Sequence, residues 1–182
     1  MLFRSGVVDA ASGLAGNGLA PGSYLSIFGQ NLSDVTRVGV TQSLPLSLAG
    51  ISVSFDIPSR QLSYPGRLHF VSPTQINVQI PWELAGQNSA QMKVSIGDYS
   101  SALYTVPLNN VSPNAFEFTD PGTGRRLAAA LDANFALVYD ANKARKGQFI
   151  QIYCNGLGPV DSTPPSGEPS SANPLARTAS VP

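Results

Sequence analysis

The sequence predicts an all-β protein, with a complete β-sandwich over residues 7–111 and a second, incomplete sandwich over residues 112–182. Two observations lead to this prediction. Short runs of alternating apolar residues recur about every 8–12 residues with turn residues between them, which is typical of a sandwich. The chain also holds 17 Gly and 15 Pro, and no stretch has the periodicity of a long amphipathic helix.

The first clear strands differ in their apolar pattern. Residues 23–29 follow a glycine-rich loop and place apolar side chains on both faces, which favours a strand that is buried on both sides. Residues 50–57 alternate strictly between apolar and polar side chains, which predicts a half-buried strand of an antiparallel sheet.

The next strands are marked by their turns. Residues 68–71 and 75–80 flank a Ser-Pro-Thr turn, and Pro81 ends the second of them because it cannot donate to a ladder. Residues 90–97 alternate again, and a Gly-Asp turn returns the chain along residues 101–108.

Shorter strands are expected in the second unit. They cover residues 115–118, 128–131, 136–139 and 148–154. Residues 158–173 are rich in Pro, Ser and Gly and hold few apolar groups, so they predict a long loop or linker.

Composition and charge exclude several functions. The 182 residues carry 11 basic and 11 acidic side chains, so no basic excess is available to neutralise the phosphates of a nucleic acid. No apolar run approaches the roughly 20 residues that a membrane-spanning helix needs. The sequence therefore predicts neither a nucleic-acid partner nor a membrane span.

Few side chains are available for catalysis. Cys154 is the only cysteine and is expected to pack as a small apolar residue, and His69 is the only histidine. The carboxylates are scattered beside turn residues, where Asp side chains commonly cap their own backbone. No nucleophile elbow, phosphate loop or metal-binding motif occurs. We therefore expect no enzyme activity, no cofactor and no metal.

An internal repeat is the most informative feature. Residues 22–32 (GSYLSIFGQNL) match residues 147–157 (GQFIQIYCNGL), and each segment is followed by a loop and a Pro-Leu pair. Such self-similarity indicates two copies of one supersecondary unit. Because the sequence stops soon after the second Pro-Leu pair, the second copy is expected to lack several strands.

These segments, together with SPTQINVQIPWE and GLGPV, resemble an uncharacterised C-terminal domain family of exported proteins from Solibacter-type soil bacteria. The resemblance extends from Val7 to Thr178. Domains of that family are similar to TIG-type immunoglobulin-like modules and usually continue with further strands. The resemblance implies an immunoglobulin-like sandwich in an extracellular or cell-surface protein, and it transfers no catalytic residue.

The first functional hypothesis is a non-catalytic structural or adhesive module that assembles into an oligomer or filament. An incomplete sandwich has open strand edges, which can pair with a strand of another chain. The candidate donors are Val7 and Val8 near the start, and Ala176, Thr178 and Val181 near the end.

The second hypothesis is a carbohydrate-binding module that takes a cell-surface or matrix polysaccharide. Tyr64, Trp82 and Tyr99 are the candidate glycan contacts, because flat aromatic faces can stack on sugar rings, although Trp82 is also suited to burial beside Pro81. A third hypothesis, a hydrolase, requires His69 to lie near a serine and an aspartate.

Overall fold

The computed structural model describes residues 3–16 and 18–179, with side chains from residue 6 onward. It confirms an all-β fold. The strands are β1 (Phe3–Asp9), β2 (Tyr24–Gln30), β3 (Arg37–Val38), β4 (Ile51–Ile57), β5 (Leu62–Pro65), β6 (Arg67–Val71), β7 (Gln75–Gln79), β8 (Ser89–Ile96), β9 (Tyr99–Ser100), β10 (Tyr104–Pro107), β11 (Asn114–Ala115), β12 (Glu117–Thr119), β13 (Arg126–Ala128), β14 (Ala130–Asp132), β15 (Ile150–Ile152) and β16 (Cys154–Asn155). The helices of the described residues are the 3-10 turns Pro58–Arg60 and Trp82–Leu84, and neither is long enough to cross a membrane.

The first ten strands form two antiparallel sheets. Sheet 1 has five strands in the order β1-β2-β7-β6-β3. Sheet 2 also has five strands, in the order β10-β8-β4-β5 with the short β9 paired to β8. β2 therefore lies inside its sheet, and β1 lies at the edge of sheet 1. One apolar face of β2 is buried through Leu25 and Ile27, whereas Phe28 on the other face is exposed.

One apolar core lies between the two sheets. In β4 the side chains of Ile51, Val53 and Phe55 are buried while the residues between them are half-buried, as the strict alternation predicts. The core also takes side chains from β2, β6, β7, β8 and β10. These include Leu25, Ile27, Leu68, Val71, Ile76, Val78, Ala90, Met92, Val94 and Val106. Because side chains from both sheets share this core, the two sheets form a sandwich.

The chain crosses from sheet 2 to sheet 1 at Gly66. This residue lies between β5 and β6, and its N–H donates to the carbonyl of Val53 at 2.8 Å. A Cβ at this position would lie 2.5 Å from Cγ2 of Val78 and 3.0 Å from Cε2 of Phe55. Glycine is therefore required because the backbone passes directly against the core.

A β-bulge explains why the alternation around the histidine is ambiguous. Leu68 pairs with Val78 and Phe70 pairs with Asn77, so His69 is the extra residue that has no partner on β7. The bulge resets the side-chain alternation, and both Leu68 and Val71 are buried.

The part of the chain beyond residue 111 builds smaller sheets. Its strands form three separate two-stranded pairs, β11-β16, β12-β13 and β14-β15. Ala130 is the one buried apolar residue that the described residues contribute after Leu108. The strand expected at residues 136–139 is wrong, since Leu137 and Tyr139 form only isolated bridges. The second segment therefore has strands but no apolar core of its own.

The Pro/Ser/Gly-rich segment is a loop, as expected, but it is not a free linker. Ser166 and Gly167 are buried against the sandwich. The backbone N–H of Trp82 donates to Ser166 Oγ at 2.8 Å, and the backbone N–H of Gly167 donates to Gln79 Oε1 at 2.7 Å. The Leu44 N–H donates to the Gly167 carbonyl at 2.8 Å. Hydrogen bonds to the sandwich thus replace the apolar contacts that this segment lacks.

We expect Gly66→Ala to destabilise the protein by about 1–3 kcal/mol, because the added methyl group overpacks a filled core. The measurement is the free energy of unfolding from urea denaturation, followed by tryptophan fluorescence and circular dichroism.

Gly6→Ala is the matched control for this substitution. Gly6 also lies on a strand of the sandwich, but a Cβ there meets no atom within 4 Å. We expect a change within about 0.5 kcal/mol. Equal losses of stability in the two variants would contradict the close approach at Gly66.

Candidate functional site

The two repeat segments have opposite surroundings. In β2 the side chains of Leu25 and Ile27 are fully buried. The matching residues of β15 are Ile150 and Ile152, whose exposed fractions are 42% and 52%. All residues from Phe149 to Cys154 are exposed. The same sequence pattern therefore builds an internal strand in one place and an uncovered apolar strand in the other.

The outer edge of β15 is open. The N–H of Val138 donates to the Ala130 carbonyl, and the N–H of Asp132 donates to the Ala136 carbonyl, so these groups of β14 point away from β15. By the alternation of an antiparallel ladder, the backbone groups of Ile150 and Ile152 then point away from β14. No described residue bonds to them. These donors and acceptors are available to another strand.

A cleft opens at one end of the sandwich, between the two sheets. It has a volume of about 500 Å³, and its walls come from the β2–β3 connection, the start of β4 and the β8–β9 turn. Tyr99 lies at its rim with 75% of its surface exposed, and Ile51 and Ile96 line its interior. Asp34 and Arg37 supply opposite charges.

The other aromatic candidates for glycan contact lie elsewhere. Tyr64 is partly buried and packs against the core. The Trp82 ring is half-buried and lies against Gly22, where a Cβ would come within 2.2 Å of ring atoms. The structure therefore does not bring Tyr64, Trp82 and Tyr99 together, and only Tyr99 presents a largely exposed ring.

The candidate donor strands are paired within their own chain. Val7 faces Ile27 and Val8 faces Ser26 in the β1–β2 ladder, and Val7 is buried in the core. Thr178 bridges to Val160.

The rest of the tail lies beside this bridge. The N–H of Ala179 donates to the carbonyl of Pro159 at 2.8 Å. Ala176 precedes this pairing and is half-buried. Val181 lies outside the described residues.

The side chains considered for catalysis do not form a catalytic set. His69 is exposed, and its ring meets the Tyr24 ring edge-on with centroids 5.8 Å apart. Within the described residues, no hydrogen bond joins His69 to a serine or a carboxylate, so the arrangement that a hydrolase requires is not present there. Cys154 is exposed, so the expectation that it packs as an apolar residue is wrong.

Two carboxylates serve as turn caps. Backbone N–H groups of Ala136 and Asn134 hold the pKa of Asp132 below its usual value, and the N–H of Gly122 does the same for Asp120. Both groups therefore stabilise their turns when ionised, and this stabilisation is lost as the pH falls through the lowered pKa. Across residues 3–16 and 18–179, no three His, Cys, Asp or Glu side chains lie close enough together to bind a metal.

A buried polar cluster joins the second segment to the sandwich. The Asn155 amide donates to Asp9 Oδ2 at 2.7 Å and to the Tyr24 carbonyl at 2.8 Å. Its oxygen accepts the Tyr24 N–H at 2.8 Å. Asp9 Oδ1 also accepts the N–H groups of Ala11 and Ser12. Sequence reasoning missed this cluster, because Asp9 and Asn155 lie 146 residues apart and neither belongs to a motif.

No family model, curated protein or solved structure matches this chain.

We expect Asn155→Ala to destabilise the protein by about 1–3 kcal/mol, because it leaves the buried Asp9 carboxylate and the Tyr24 backbone groups without their partner. Thermal and urea unfolding measure this loss. Asn134→Ala is the matched control, since the Asn134 side chain is exposed and makes no hydrogen bond to a described residue. An Asn155→Ala protein as stable as the Asn134→Ala protein would show that the cluster does not hold the two segments together.

Proposed function

We propose that the protein is a non-catalytic structural or adhesive module that self-associates through the open edge of β15. The observation that carries the proposal is the exposure of Ile150 and Ile152 in a strand whose repeat partner, β2, buries the matching residues Leu25 and Ile27 completely. An uncovered apolar strand with unpaired backbone groups is a template for β-strand addition.

The partner in this proposal is β15 of a second copy of the chain. An antiparallel pairing of two identical strands is symmetric, so Ile150 of one copy faces Ile152 of the other and Gln151 faces Gln151. This register uses all the outward backbone groups of the strand. Because the interface is the same patch on both copies, it closes into a dimer rather than growing into a filament.

Apolar burial adds to the hydrogen bonds of this pairing. Phe149, Ile150, Ile152 and Tyr153 are exposed along one continuous stretch. Full burial of a large apolar side chain is worth about 1.5–3 kcal/mol, and edge-to-edge pairing gains part of this for the side chains that come to lie beside their partners on the neighbouring strand. β15 is a better site for pairing than β1, since Val7 is already buried in the core whereas Ile150 and Ile152 are exposed.

The immunoglobulin-like character of the sandwich and an extracellular or cell-surface location belong to the same proposal. Both rest on the resemblance to the exported family. The roles that the structure gives to His69 and Asp132 are those of a ring contact with Tyr24 and of a turn cap, which are compatible with a module without catalysis.

A second candidate function, carbohydrate binding, is favoured by one observation. Tyr99 exposes 75% of its surface at the rim of an open cleft. Exposed aromatic rings of this kind are costly in water and are enriched where proteins bind partners.

We expect the protein to form dimers as its concentration rises from micromolar upward, measured by light scattering coupled to size-exclusion chromatography. Ile152→Lys is expected to weaken dimerisation by about tenfold or more, because it places a charge in the paired strand. Val40→Lys is the control, since Val40 is a 91% exposed apolar residue far from β15 in the sequence. A monomer at every concentration, or equal dimerisation of the two variants, would contradict the proposal.

A cysteine cross-link tests the register. In the Cys154→Ser background, Gln151→Cys is expected to give a disulfide-linked dimer under mild oxidation, because residues at a non-hydrogen-bonded antiparallel pair have Cα atoms about 4.5 Å apart. Asn134→Cys in the same background is the exposed control. A dimer that cross-links no faster through residue 151 than through residue 134 would exclude this register.

A further inference from the structure

We propose that the cleft beside Tyr99 is the site at which the protein binds a neutral polysaccharide. This inference rests on the second candidate function given above. It adds the location of the site, the role of each side chain and the class of sugar.

Tyr99 provides the stacking surface. It lies on the two-residue strand β9, directly after the β8–β9 turn, and pairs with Ile96 on β8. The ladder fixes its backbone while the residue as a whole remains 75% exposed. A flat ring that is held in place and left in water suits the apolar C–H face of a pyranose, which loses little freedom when it binds to a fixed surface.

The polar groups of the cleft are free to bind a ligand. Asp34 and Asn31 both line the cleft, and no hydrogen bond from a described residue reaches the Asp34 carboxylate or the Asn31 side-chain amide. Arg37 uses Nη1 for the Thr36 carbonyl at 3.2 Å, and its other nitrogens are exposed. A carboxylate, an amide and a guanidinium together offer acceptors and donors, which is what the hydroxyl groups of a sugar require.

The charges of the cleft favour a neutral ligand. Its lining holds one carboxylate, Asp34, and one guanidinium, Arg37, and these two side chains form no ion pair with each other. Their fields largely cancel for a ligand that spans the cleft, so neither a polyanion nor a polycation gains from long-range attraction. The whole chain also has a formal net charge of zero.

The position and size of the cleft suit a polymer better than a deeply enclosed small molecule. Its volume of about 500 Å³ lies within the roughly 300–1,000 Å³ of ordinary ligand sites. It is open at the end of the sandwich, and its walls are loops together with the ends of the strands that hold them. Binding sites are commonly built in this way, on loops positioned by a rigid scaffold.

The experiment uses the full chain and a defined set of polysaccharides. Cellulose, chitin and xylan are tested by pull-down, and laminarin, dextran and xyloglucan by affinity electrophoresis, with alginate and heparin as charged comparisons. We expect the wild-type protein to bind at least one neutral polymer, with an affinity that changes little as salt is added. Tyr99→Ala is expected to weaken that binding by about tenfold or more, as for an aromatic hot spot, whereas Tyr99→Phe retains it.

Phe135→Ala is the matched control, because Phe135 is 73% exposed and lies outside the cleft. Arg37→Ala and Asp34→Asn are expected to weaken binding without changing the melting temperature, since both side chains are exposed.

The possible failures can be told apart. If the wild-type protein retains no neutral polysaccharide, carbohydrate binding is overturned together with this site. If it retains one and Tyr99→Ala binds as tightly as Phe135→Ala, the function stands and the cleft is not its site. Preferential, salt-sensitive binding of alginate or heparin would overturn the neutral class of ligand.

Discussion

The structure depends on one sealed apolar layer between two antiparallel sheets. Every residue of this layer lies between Val7 and Leu108, and the chain changes sheets at Gly66 without a side chain to disturb the packing. Apolar burial is the dominant favourable term in folding. The first 111 residues therefore hold nearly all of it, and whatever follows must be organised by other forces.

Polar bonds organise the second segment. Asn155 joins it to Asp9 and Tyr24, and Ser166 and Gly167 hold its loop against Trp82 and Gln79. Each such bond contributes only about 0.5–1.5 kcal/mol, and its strength depends on exclusion of water. The segment can thus be well positioned while its own apolar strand, β15, stays in solvent. In the second segment, the hydrogen bonds that fix its position do not bury its apolar side chains.

The sequence predicted those strands that have one face against the single apolar core, because their own alternation identifies the buried face. The alternation of Ile51, Val53 and Phe55 identified β4 and its buried face, because a strand of the sandwich has only one core to face. The bulge at His69 could not be read from the pattern, since it depends on how β6 aligns with β7. The exposure of Ile150 and Ile152 was equally hidden, because burial is a property of the partners and not of the strand. Of the aromatic candidates, the sequence indicated Tyr99 but could not separate it from Tyr64 and Trp82, whose contacts are long-range.

The Asn155 cluster has a consequence for how the molecule can be divided. If apolar burial is the criterion, a chain cut after residue 111 keeps its whole core and forms a self-contained sandwich. If hydrogen bonding is the criterion, the same cut removes Asn155. The Asp9 carboxylate then loses its amide donor, and the Tyr24 N–H at the start of β2 loses its acceptor. The excised sandwich would begin β2 with a defect that the intact chain does not have. The domain boundary defined by the apolar core and the one defined by hydrogen bonds therefore fall at different residues. Only a chain that extends past Asn155 contains both the complete core and the partners of Asp9 and Tyr24.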